Sequence, residues 1–180
     1  MVSAAYVNNT ARVIWQNYYD VAAVAASSGN WGTASLMYRE SLSTATEAGL
    51  TEEEAFTCHG LALVLLQTRQ SEEAERFLRR AIRLYSLLTP LAARGLASVV
   101  SVLADLYTAR NADERALPLL KLCERSITTV YGVQAPELLP IVSRMALIYN
   151  RHSQHGKAEE CVKHYRSLKE KLLFNPASQA

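Results

Sequence analysis

Four side chains near the C-terminal end have the chemistry of a zinc site. His152, His155, Cys161 and His164 offer nitrogen and sulfur donors within thirteen residues. A structural zinc ion needs its ligands closed around one point. Here His152 ends one helical stretch, His155 opens the next, and Cys161 lies beside the apolar Val162. A packed cysteine and three surface histidines are expected instead, with no metal and no cofactor. A second cluster, Arg76, Arg79, Arg80 and Arg83, falls at helical spacing and could meet an anion or an acidic partner. Glu72 precedes Arg76 by four residues and Glu75 precedes Arg79 by four, the orientation in which such pairs stabilise a helix. The run therefore reads as a solvated, pair-laced face. Nothing resembles a nucleophile elbow or a Gly-rich phosphate loop, and Asp occurs only at 20, 105 and 113. The expectation is a protein that is not an enzyme.

The elements that carry these residues must be long helices. The chain has 180 residues, of which 49% are hydrophobic and 20% charged, with only seven Gly and five Pro. A net charge of +2 creates no field that would draw nucleic acid or an anionic membrane. Three cysteines at wide spacing form no disulfide framework. No signal peptide and no apolar run long enough to cross a bilayer is evident, so the expected location is the cytoplasm.

The helices repeat. Ala34, Ala74, Ala116 and Ala158 follow one another at steps of 40, 42 and 42 residues, and Ala22, Ala62, Ala104 and Ala146 precede them by twelve. Around the earlier alanine, bulky residues keep phase: Val21, Leu61, Leu103 and Met145 one before it, Ala25, Leu65, Tyr107 and Tyr149 three after. Tyr38, Leu78, Leu120 and Val162 follow the later alanine by four. Apolar residues three and four apart form one helix face, and alanine lets a neighbouring helix approach closely. Eight helices follow, near 9–28, 31–48, 52–69, 72–88, 92–109, 113–131, 136–152 and 155–173. Thr51 with Glu54 reads as a capping box, Asp113 as an N-cap, and Gly29, Gly49 and Gly132 as left-handed helix ends. Tyr18, Trp31 and Tyr38 are expected in the core.

This pattern resembles the tetratricopeptide repeat: a large residue, Leu-Ala or Leu-Gly, then Tyr, a turn, Ala, an aromatic or Leu, and a small residue. The last slot holds Ser41, Ala81, Cys123 and Tyr165, so the fourth unit departs from small. The period, with Tyr131-Gly132 and Ala135-Pro136 between units, is similar to the kinesin-light-chain subclass. The resemblance implies an all-α, right-handed superhelical solenoid of four antiparallel helix pairs. One domain would span 1–174, in units 15–54, 55–96, 97–138 and 139–174, with a disordered tail at 175–180.

In such arrays the first helix of each pair lines a concave face that binds protein. The resemblance assigns to that face Gln16, Tyr19, His59, Leu63, Gln67, Ser101, Asp105, Ser143, Asn150 and Arg151. At the slot where light chains hold peptide with Asn, this chain has Ala23, Leu63, Asp105 and Leu147. The implied function is a non-enzymatic scaffold gripping a protein segment. Alternatives are a sensor domain for a short peptide or small ligand, and a self-assembling structural unit. No nucleic acid or membrane is expected as partner. The first helix is apolar around most of its girth, so Ile14, Val21, Val24 and Ala25 form a candidate homodimer contact.

Overall fold

At seven of the eight alanines of the repeat, all but Ala146, the side chain is buried against a neighbouring helix. In the computed structural model of the protein, residues 4–88 and 92–174 are described, and they hold helices and turns without strands. The helices are α1 (Ala4–Ser27), α2 (Trp31–Glu47), α3 (Thr51–Gln67), α4 (Ser71–Leu88), α5 (Ala93–Ala109), α6 (Asp113–Tyr131), α7 (Leu139–Arg151) and α8 (His155–Phe174). A 3-10 turn, Pro136–Leu138, leads into α7. The sequence-derived bounds hold to within about a turn except at α1, which begins at Ala4: Asn9 and Thr10 lie inside the helix and do not cap it. The region 175–180, expected to be a disordered tail, lies outside the described residues.

Chain contacts cluster into two compact units, Met1–Leu88 and Thr89–Ala180. In the first, α1 packs on α2, α2 and α1 on α3, and α3 on α4. In the second, α5 packs on α6, α7 sits on both, and α8 packs on α7. Alanine at the repeat positions carries this packing. Ala22, Ala34, Ala62, Ala74 and Ala116 are fully buried, and Ala104 and Ala158 nearly so. Gly60 goes further: a methyl group there would stand 2.7 Å from the Tyr38 ring, so α2 and α3 meet only because this side chain is absent.

Trp15, which the repeat pattern leaves unassigned, is the buried aromatic of α1, whereas Tyr18 and Trp31 are only partly covered. Trp15 Nε1 donates to Thr57 Oγ1 at 2.8 Å, Thr57 donates to the Glu53 carbonyl, and Ser41 donates to the Trp15 carbonyl. One polar network thus ties α1, α2 and α3 within their apolar core.

The turns inside the four hairpins share one geometry. Gly29, Arg69, Asn111 and Ser153 all have positive φ, at 74°, 61°, 56° and 56°. Each following residue donates its backbone N–H to a carbonyl five positions back, as Gln70 does to Leu65 and Gln154 to Tyr149, closing a Schellman turn. Glycine was expected at such ends, and Gly29, Gly49 and Gly132 do have positive φ. Two caps differ from expectation. Leu50 and Ala112 occupy the N-cap positions of α3 and α6, without side-chain capping bonds. Glu54 is instead bonded by Arg80 Nε at 2.8 Å, which takes it out of a capping box with Thr51. Asp113 lies in the first turn of α6, where the side chains of Arg151 and His152 engage it.

Candidate protein-binding surface

The first helix of each hairpin turns one side inward through the alanine register and leaves another open. In the first unit, Gln16 is exposed and donates to Asp20 Oδ1 at 2.8 Å. Tyr19 is half-buried, its ring 5.1 Å from Trp15 and 5.4 Å from Tyr38 in an edge-on contact. Burial, with the Asp20 charge beside it, pushes its hydroxyl pKa up. His59 is half-buried too, and its Nε2 is buried without a hydrogen-bond partner. Burial lowers its pKa, so the ring is held neutral. Leu63 is 42% exposed and Gln67 is open. Phe56, absent from the sequence-derived set, adds an exposed aromatic on α3, its ring edge-on to Tyr85 at 5.9 Å. The repeat register alone could have found it, since it occupies the slot that Gln16 fills in α1.

In the second unit the residues divide differently. Ser101 is buried, and its hydroxyl donates to the Ala97 carbonyl at 2.8 Å. Asp105 accepts two bonds from Arg144, at 2.7 and 2.6 Å, which joins α5 to α7. Arg151 is exposed at its stem, but Nη1 reaches the buried Asp113 carboxylate at 3.0 Å, with His152 Nε2 on the other oxygen at 3.1 Å. These charges fasten α7 to the α5–α6 hairpin. Ser143 and Asn150 stay accessible and line a cleft of about 480 Å³ between α7 and α8, with Ala146, Leu147, Val162 and Tyr165. Leu147 is 62% exposed.

The four potential zinc donors do not gather at one point among the described residues. His152 sits on Asp113, His164 Nε2 lies 2.7 Å from the Val133 carbonyl, and the Cys161 thiol is pushed up by burial. His155 is exposed. The thiols of Cys58 and Cys123 are pushed up to about 12 by burial and stay protonated at neutral pH. Within the Arg run, Arg79 pairs with Glu75 at 2.8 Å on its own helix, while Arg80 reaches Glu54 and Thr46. On α1, Ile14, Val21 and Val24 stand in the open and Ala25 is half-buried. Among the described residues no helix is long and apolar enough to cross a membrane.

No protein-family model and no curated sequence matches the chain. Solved structures do. BtubC (BKLC) of P. vanneervenii superposes with a TM-score of 0.76 at 21% identity, covering 90% of this chain and 65% of that one. The chain thus spans under two thirds of that protein's length. A protein of nearly identical TPR-like repeats from Podosopora anserina, assigned as a kinesin light chain, superposes with a TM-score of 0.70 at 15% identity, covering 93% of this chain and 86% of that one. At these identities the likeness is one of fold. Together with the alanine register and the shared hairpin turns, it gives this chain the tetratricopeptide-type repeat fold.

Proposed function

We propose that the protein is a non-enzymatic interaction module that binds a segment of another protein along the open sides of its first helices. The observation that carries this reading is a pair of leucines. Leu63 on α3 and Leu147 on α7 fill the same repeat slot, one in each compact unit, and both are exposed, at 42% and 62%. Polar neighbours surround them: His59 and Gln67 in one unit, Ser143 and Asn150 in the other. An apolar anchor rimmed by hydrogen-bonding groups is the usual anatomy of a protein contact. Repeat folds supply such surfaces because each unit spends its core on its neighbours and leaves one side free. The ion-paired arginines of α4 offer less, since their charge is already met on or beside their own helix.

Affinity capture from native lysate followed by intact-complex mass measurement tests the proposal. A stable protein partner, lost with Leu63→Glu or Leu147→Glu and kept with Arg76→Ala, is the expected result. Retention of only a low-mass ligand would replace the scaffold with a sensor domain.

A further inference from the structure

Two faces of the chain match the two halves of a helix-stacking joint, and neither is covered among the described residues. The first half is on α1. Val21 and Val24 occupy the repeat slots of Leu61 and Val64 on α3 and of Met145 and Ile148 on α7. On α3 and α7 these slots are at most 5% exposed. On α1 they are 50% and 67% exposed, although Ala22 beside them is fully buried, as Ala62 is on α3. The open face of α1 is therefore the one that on α3 and α7 lies against the preceding hairpin, not the one that packs on α2.

The second half is the cleft between α7 and α8. Its residues Ser143, Val162 and Tyr165 stand in the slots of Ser101, Leu120 and Cys123 on the α5–α6 hairpin. Those three are buried, and the helix that packs on their hairpin is α7. In the α7–α8 hairpin the same slots are less covered: Ser143 and Tyr165 are half-buried and Val162 is 37% exposed. The shape this cleft accepts is thus the first helix of a following hairpin, apolar at the slots of Val21 and Val24.

We infer that this surface docks a second copy of the chain, α1 of one molecule lying in the α7–α8 cleft of another. The inference rests on the reading of the open first-helix sides as protein-binding surfaces and names one occupant for that of α7. The contact is heterologous, with a different patch on each partner, so both molecules keep one free half after pairing. It is weaker than the joints inside the chain. The ion pairs that fasten α7 to α5 and α6, Asp105 with Arg144 and Asp113 with Arg151, have no counterparts, because Leu147 and His155 would face Asp20 and Ser27. Self-association is expected at high micromolar concentration and above.

Sedimentation velocity of the 180-residue chain, alone and mixed with variants, tests the inference. Val24→Glu spoils the α1 half and Leu147→Glu the cleft half; both side chains are mostly in solvent, so circular dichroism melts should match the wild type. Wild type should shift to larger species over a hundredfold rise in concentration. Each variant alone should stay monomeric. An equimolar mixture should form a dimer that goes no further, because Val24→Glu keeps an intact cleft and Leu147→Glu an intact α1. A wild type monomeric throughout overturns the inference. So does Leu147→Glu that still dimerises alone, which would mean a symmetric contact through α1 on both sides. If wild type remains monomeric yet lysate capture yields a protein partner lost with Leu147→Glu, the binding role stands and only the second copy as occupant falls.

Discussion

Asp113 carries one of the few buried carboxylates among the described residues, and it fastens α7 to α6. Its position after a turn suggests an N-cap, but the structure buries its carboxylate under Arg151 and His152. Arg151, expected to be a free anchor for a partner, is thereby a structural group. Arg151→Ala should lower stability by about 1–2 kcal/mol in urea unfolding, less than a fully buried pair would because the guanidinium is part-exposed. A surface role would leave the midpoint unmoved. Tyr19 is likewise held between Trp15 and Tyr38 and makes a poor probe of binding alone. His59 carries a pH dependence. Its pKa is lowered by burial from the ordinary 6.5, so the unfolded chain binds the proton more readily than the folded one. Its contribution is fully present above 6.5 and is lost as pH falls through that value towards the folded pKa. His59→Leu should flatten the decline of stability between about pH 7 and 5. An unchanged slope would mean that the imidazole is not shielded from water.

At the scale of elements, the period was legible because packing repeats it. Alanine in phase is the trace of close helix crossing, and it placed all eight helices to within a turn save the start of α1. Ala104→Leu should cost about 1–3 kcal/mol by overpacking a nearly fully buried site. Wild-type stability in that variant would break the register. The hairpin turns were only partly legible. Glycine announces a left-handed residue at position 29, but Arg69, Asn111 and Ser153 adopt the same conformation. Asn tolerates that conformation, but Arg69 and Ser153 are marked only by the register, which runs on from Gly29 at successive steps of 40, 42 and 42 residues. Arg69→Gly should therefore raise stability by about 0.5–1 kcal/mol in chemical denaturation, since glycine takes positive φ without strain. A loss of similar size would show that the arginine stem contributes more than its backbone costs. The capping box of Thr51 and Glu54 was misread because a tertiary partner, Arg80, outbids a local hydrogen bond. Trp15 escaped notice because its slot holds Ala55, Ala97 and Leu139 in the other units, so no repeat signal points to it.

For the whole molecule, the fold was written in the sequence, while the binding surface was legible only as slots. Of the residues those slots assigned, Gln16, Leu63, Gln67 and Asn150 are open, whereas Ser101 is buried and Asp105 is engaged by Arg144. The difference is physical: a slot fixes which way a side chain leaves its helix, not whether a neighbour's charge comes to meet it. Phe56 and Leu147 occupy slots that the register marks, and their burial adds that both are exposed there. The central claim is that protein partners bind the open side of the first helices and not the arginine-bearing helix α4. Hydrogen–deuterium exchange on the captured complex tests it most directly. Slowed exchange is expected along α3 around Leu63 and Gln67 and along α7 around Leu147 and Asn150. Protection confined to α4 around Arg76 and Arg79, with α3 and α7 unchanged, would contradict it.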